Sequence, residues 1–134
     1  MIKMIEYRIF TEHGFDEICS KVSGSVSSAG FGVLAEIPTG KILRSKGFDY
    51  PLMNTYEICN PSYASRILSV EQSAEVMLPC RIIVKEVENG TEISAQLPTE
   101  LLKLIDSDRK QELNRIAEEV EAIIKNIVNS IPEA

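Results

Sequence analysis

The stretch "RIIVKEVENGTEISAQL", Arg81 to Leu97, does most to restrict what this chain can fold into. Asn89-Gly90 lies between two runs rich in strand formers, and both residues tolerate positive φ, a strong hairpin signal. The flanking strands are expected to pair antiparallel, which rules out an all-parallel sheet. Residues 109–130 provide a cover for such a sheet. Leu113, Ile116, Ala117, Val120, Ile123, Ile124, Ile127 and Val128 recur at helical spacing as a broad apolar stripe. Glu112, Arg115, Glu118, Glu119, Glu121 and Lys125 line the other face, with Glu121 four residues before Lys125 in the favourable order.

The rest of the chain divides by period and punctuation. Ile5, Tyr7 and Ile9 alternate over a first strand from Met4 to Phe10. Phe15, Ile18, Cys19, Val22 and Val26 then switch to helical spacing, and Gly30 is placed to cap that helix after Ser28. A strand is expected over Phe31 to Ile37, a brief helix over Lys41 to Lys46 and a third strand over Met53 to Cys59. Asn60-Pro61 reads as a helix start: asparagine is a favoured N-cap, and proline at the first helical position forfeits no hydrogen bond. Tyr63, Ala64, Ile67 and Leu68 form the inward stripe of that helix, to about Val70. Pro79 opens a fourth strand, and Pro98-Thr99 a short helix through Leu104.

The order is β-α-β, a short helix, β-α-β-β, then the long helix. It predicts one domain over residues 1–134 of the α+β class: an antiparallel-rich sheet covered on one face by the long helices. A chain of this length buries roughly two-thirds of its unfolded surface, enough for a core without disulfides or a structural metal. The net charge of −6 disfavours nucleic acid and anionic membrane surfaces as partners. No stretch approaches the ~20 apolar residues of a membrane helix, and the N-terminus lacks the apolar run of a signal peptide. Three cysteines do not suit a disulfide framework, so a soluble cytoplasmic protein with reduced thiols is expected.

Four blocks in order resemble the domain of unknown function 302 (DUF302) family: "GFGVLAEI" from Gly30, "KGFDYPLMNTYEICNP" from Lys46, "MLPCRIIV" from Met77 and "IAEEVEAII" from Ile116. Cys-Asn-Pro followed by Pro-Cys at this distance is the most specific part. The resemblance implies a compact β-α-β(4)-α-like fold of the TATA-binding-protein-like class, here with short extra helices between strands. It further implies a domain that is often dimeric and has no established activity. The family's most distinctive shared feature maps onto Cys59 and Cys80. This chain departs from the family at Glu57-Ile58, where small residues often precede Cys-Asn-Pro. It departs again at Leu97-Pro98, where Asp-Pro often follows the last strand.

Cys59 falls where a strand ends and a helix begins, a position that favours thiolate. Cys80 opens the fourth strand. If strands three and four are neighbours, antiparallel pairing brings the two thiols together as a redox pair, a two-thiolate site for a soft ion such as Cu(I), or a nucleophile with a resolving partner. The plain alternative is that both fill space, because free cysteine is among the most buried residue types. Cys19, on an apolar stripe, is structural. Glu57 lies on the strand face of Cys59 and serves as a base or ligand, or as an exposed strand glutamate. Tyr56, Tyr63 and Arg66 complete a pocket rim around the helix start.

No metal or cofactor is expected. His13 is the one histidine, in a turn, and there is no Cys-x-x-Cys. The leading expectation is a small-ligand-binding or interaction module acting as a homodimer, with the long helix burying its surplus stripe against a second copy. A thiol-based redox or thiophilic-metal protein is the first alternative. A cofactor-free enzyme with Cys59 as nucleophile is the second.

Overall fold

The computed structural model describes residues 4–134. Residues 1–3 of the expected single domain lie outside the described residues. The elements run β1 (Glu6–Thr11), α1 (Phe15–Ser28), β2 (Gly32–Ile37), α2 (Thr39–Ser45), β3 (Met53–Cys59) and α3 (Pro61–Val70). A 3-10 segment (Gln72–Met77) then leads to β4 (Cys80–Val87), β5 (Gly90–Gln96), α4 (Pro98–Leu102), α5 (Lys110–Ser130) and a last 3-10 turn. The strands form one antiparallel sheet in the order β1-β5-β4-β3-β2. The α+β class and antiparallel sheet expected from the sequence are therefore present.

Register decides which side chains share a face, because partners directly opposite point the same way. Tyr7, Ala95, Ile82 and Tyr56 form one row across the sheet, and Ile9, Ile93 and Val84 another. These rows face the helices, and Tyr56, Ile82, Ala95, Ile93 and Val84 are all buried. The opposite face carries Arg8, Glu92, Lys85, Arg81 and Glu57, with ion pairs Arg8–Glu92 and Arg81–Glu57 both at 3.5 Å.

The long helices cover the apolar rows. Ile18, Val22 and Val26 of α1 are buried, as are Leu113, Ile116, Ala117, Val120, Ile124, Ile127 and Val128 of α5. Ile123 packs partly buried against the same core. The stripe of α5 is thus consumed within the chain, against the expectation that its breadth leaves a surplus for a second copy. α3, α4 and α1 all press on this helix and absorb the extra width.

The β4–β5 hairpin differs from its sequence reading in one respect. Val87 pairs with Gly90, so the two turn residues are Glu88 and Asn89, and Asn89 alone takes positive φ (66°). Gly90 is needed for room instead. A Cβ there would stand 2.1 Å from the Thr11 carbonyl oxygen and 2.9 Å from the Phe10 ring. Gly30, with φ of 82°, closes α1 by donating its N–H to the Ser27 carbonyl. Gly90→Ala should therefore destabilise the domain by about 1–3 kcal/mol, through a backbone clash that no rotamer relieves. Urea denaturation measures it, and an unchanged midpoint would show that β1 yields at no cost.

Candidate functional site

The junction between β3 and α3 is built around Asn60. Its side-chain oxygen accepts from the backbone N–H of Ser62 (3.0 Å) and of Tyr63 (3.3 Å), and its main-chain carbonyl accepts from Ala64 (3.0 Å). Pro61 has no N–H to satisfy. The Asn60 amide also donates to the Gly30 carbonyl at 3.0 Å. One side chain thus caps α3 and ties its start to the turn that ends α1.

Beside this junction lies a cavity of about 360 Å³. Phe31, Ile58, Tyr63, Ala64, Ile67, Leu68, Leu78, Pro79 and Val120 supply its apolar wall, and Cys59, Asn60, Glu75 and Cys80 also line it. The Phe31 and Tyr63 rings lie 21° from parallel with centroids 6.4 Å apart. The segment from Glu75 to Pro79 connects α3 to β4, so the chain that joins two elements of the site also walls it.

Cys59 and Cys80 line this one cavity but are free thiols. The register does not set the two side chains opposite each other. Cys80 stands opposite Ile58, one residue short of Cys59, and neighbouring strand residues alternate in direction. Cys80 thus shares the covered face of Ile58. Burial pushes its thiol up to about 11, the charge of Cys59 adds to the shift, and Arg81 partly offsets it. A thiol held protonated in this way is a weak nucleophile at neutral pH.

The family model for the domain of unknown function DUF302 matches residues 7–131. The chain belongs to the DUF302 family. It is also similar to an uncharacterized conserved DUF302 protein from Bacillus stearothermophilus, known from a crystal structure. Identity is 27%, the match covers 95% of this chain and 98% of that one, and the TM-score is 0.88. No curated protein matches the chain.

The remaining residues that the sequence singled out are dispersed in this DUF302 domain. Of the expected rim, Tyr63 lines the cavity. Arg66 sits over the Tyr63 ring at 5.3 Å, with its guanidinium donating to Glu119 at 2.8 Å. Glu57 faces Arg81 on the uncovered side of the sheet. Tyr56 lies two residues further from the junction, on the side of α1. Its hydroxyl donates to Glu36 at 3.1 Å, and the Asn54 amide donates to the same carboxylate at 3.1 Å. The Cys19 sulfur accepts from Asn54 at 3.5 Å, and burial raises its thiol above the ordinary range.

His13 follows β1, where Thr91 donates to its carbonyl. That is the end of the sheet opposite Cys59, so no Cys-His pair forms. Among the described residues, no group of three or more His, Cys, Asp or Glu side chains is placed to hold a metal ion. Phe31, Leu78, Pro79, Glu75 and Val120 are cavity residues that the sequence did not single out. Phe31 belonged to a strand run and Val120 to a helical stripe, and neither pattern says which position borders a void.

Two outcomes follow from this geometry. Asn60→Ala should cost about 1–2 kcal/mol in thermal or urea unfolding, at the upper end for a cap because the Gly30 bond goes with it. Cys80 has an ordinary value of 9.0 and a folded value of about 11, so its folded state holds the proton more tightly. Stability from this group is complete below pH 9 and falls as pH rises from 9 towards 11. Cys80→Ala should flatten that fall in stability measured against pH. A slope identical in wild type and variant would show that the thiol does not contribute.

Proposed function

We propose that this DUF302 domain is a small-ligand-binding module acting as a homodimer, with the cavity beside the β3–α3 junction as its binding site. The observation that carries the reading is the cavity: its volume falls in the range of small-molecule sites, and its wall is apolar with few polar groups. Among the described residues no helix is long and apolar enough to cross a membrane. The net charge of −6 speaks against nucleic acid and anionic membranes as partners, and free thiols suit a cytoplasmic setting. Exposed Phe10, Leu34 and Ile37 on the edge strands β1 and β2 support self-association through the sheet.

A fragment screen followed by NMR tests the site. Binders should perturb the amides of Tyr63, Ala64 and Cys80 first, and perturbations confined to the uncovered sheet face would overturn the assignment. Light scattering should return twice the chain mass, falling to one chain mass in Phe10→Lys combined with Leu34→Lys. A monomeric wild type would remove the homodimer.

A second reading, a thiol redox or soft-metal protein, is favoured by the two free cysteines on one cavity. It requires Cys59 to react first, since Cys80 holds its proton. Cys59→Ser should then abolish rapid alkylation with the fold intact. Slow reaction of both thiols until denaturation would sink this reading and leave the cavity as a simple binding site.

A further inference from the structure

We infer that the cavity is selective for an uncharged, flat aromatic molecule; this rests on the reading of the cavity as a ligand site and names the class it accepts. Size sets the first limit. About 360 Å³ has room for roughly a dozen water-sized groups, which suits a ligand of about ten to fifteen non-hydrogen atoms.

Charge sets the second limit. A helix start is usually an anion site because its first N–H groups are free. Here Ser62, Tyr63 and Ala64 all donate to Asn60, and Pro61 has nothing to donate. No lysine, arginine or histidine lines the cavity, and its one carboxylate, the exposed Glu75, offers an anion no partner. Arg66, which sits over the Tyr63 ring, is held by Glu119. An anion entering the cavity would lose water and gain no partner, which is strongly unfavourable. A cation would meet only Glu75, whose side chain is exposed and therefore screened.

Shape and softness set the third. The Phe31 and Tyr63 rings stack in the wall, 21° from parallel with centroids 6.4 Å apart, and Cys80 adds a polarizable sulfur that favours aromatic contact. Ala64 is the small residue on the α3 side of the cavity, so it leaves the width that a planar ring needs.

The test compares naphthylmethanol, naphthoate and naphthylmethylamine, which share a ring and differ in charge, by calorimetry on the full chain with NMR mapping. Naphthylmethanol should bind at least about tenfold more tightly than either charged probe, with shifts at Tyr63, Ala64 and Cys80. Ala64→Phe should abolish that binding while keeping its circular dichroism and cooperative melting. If that variant fails to fold, the amide shifts of the wild-type chain still locate the probe.

Tighter binding of naphthoate or of the amine at the same amides would overturn the uncharged class and leave the cavity standing as a site. Equal binding of all three would overturn the selectivity. No shift at those amides with any probe would overturn the selectivity and count against the cavity itself.

Discussion

The hydrogen bonds of Asn60 are the constraint on which the junction depends. A single amide serves two N–H groups of α3 and the Gly30 carbonyl, so the end of β3, the start of α3 and the end of α1 are held in one arrangement. Gly30 takes its left-handed conformation at the same point. This arrangement leaves Phe31 and Tyr63 side by side and sets one wall of the cavity. It also uses the N–H groups that would otherwise attract an anion. Structural capping and anion binding compete for the same donors, and here capping takes all of them.

The cavity imposes a second competition, between burial and thiol reactivity. A cysteine at the head of a helix gains from the dipole, whereas one on the covered face of a sheet loses solvation for its charged form. Cys80 belongs to the second case, because Ile58, its partner across β3, is fully buried. An apolar wall suited to a hydrophobic ligand is the environment in which a thiolate is hardest to form. The features that support ligand binding therefore count against a dithiol mechanism that needs both sulfurs ionised.

Much of the fold was legible in the sequence, and the reasons are local. β3, α3 and β4 have the expected bounds because Asn60, Pro61 and Pro79 act through the backbone whatever the tertiary context. α5 was legible because its apolar period runs over a long helix. The Gln72–Met77 segment was not, since its only buried member is Ala74 and no period can be read from one residue. It is held by Glu71, whose carboxylate accepts from the Ser73 N–H at 3.2 Å and is lowered from its ordinary value, mainly by the Ser73 hydroxyl. That segment and the two residues after it supply Glu75, Leu78 and Pro79 to the cavity, so part of the site is built where the sequence has no regular pattern.

Strand parity explains where the expected rim went. Tyr56 shares the covered face with Ile58, but two residues along a strand carry it about 6–7 Å from the junction. It leaves the cavity for the region under α1 and joins Asn54 and Glu36. Glu57 has the other parity and joins the ion pairs of the uncovered face. A three-residue stretch thus serves three environments: a half-buried polar cluster, a charged surface and, at Ile58, the cavity wall. Sequence proximity to Cys59 was a poor guide to function for this reason. In a sheet with one covered face, position along the strand and parity together decide which residues can meet a ligand, and both follow from the pairing with β4 rather than from distance along the chain.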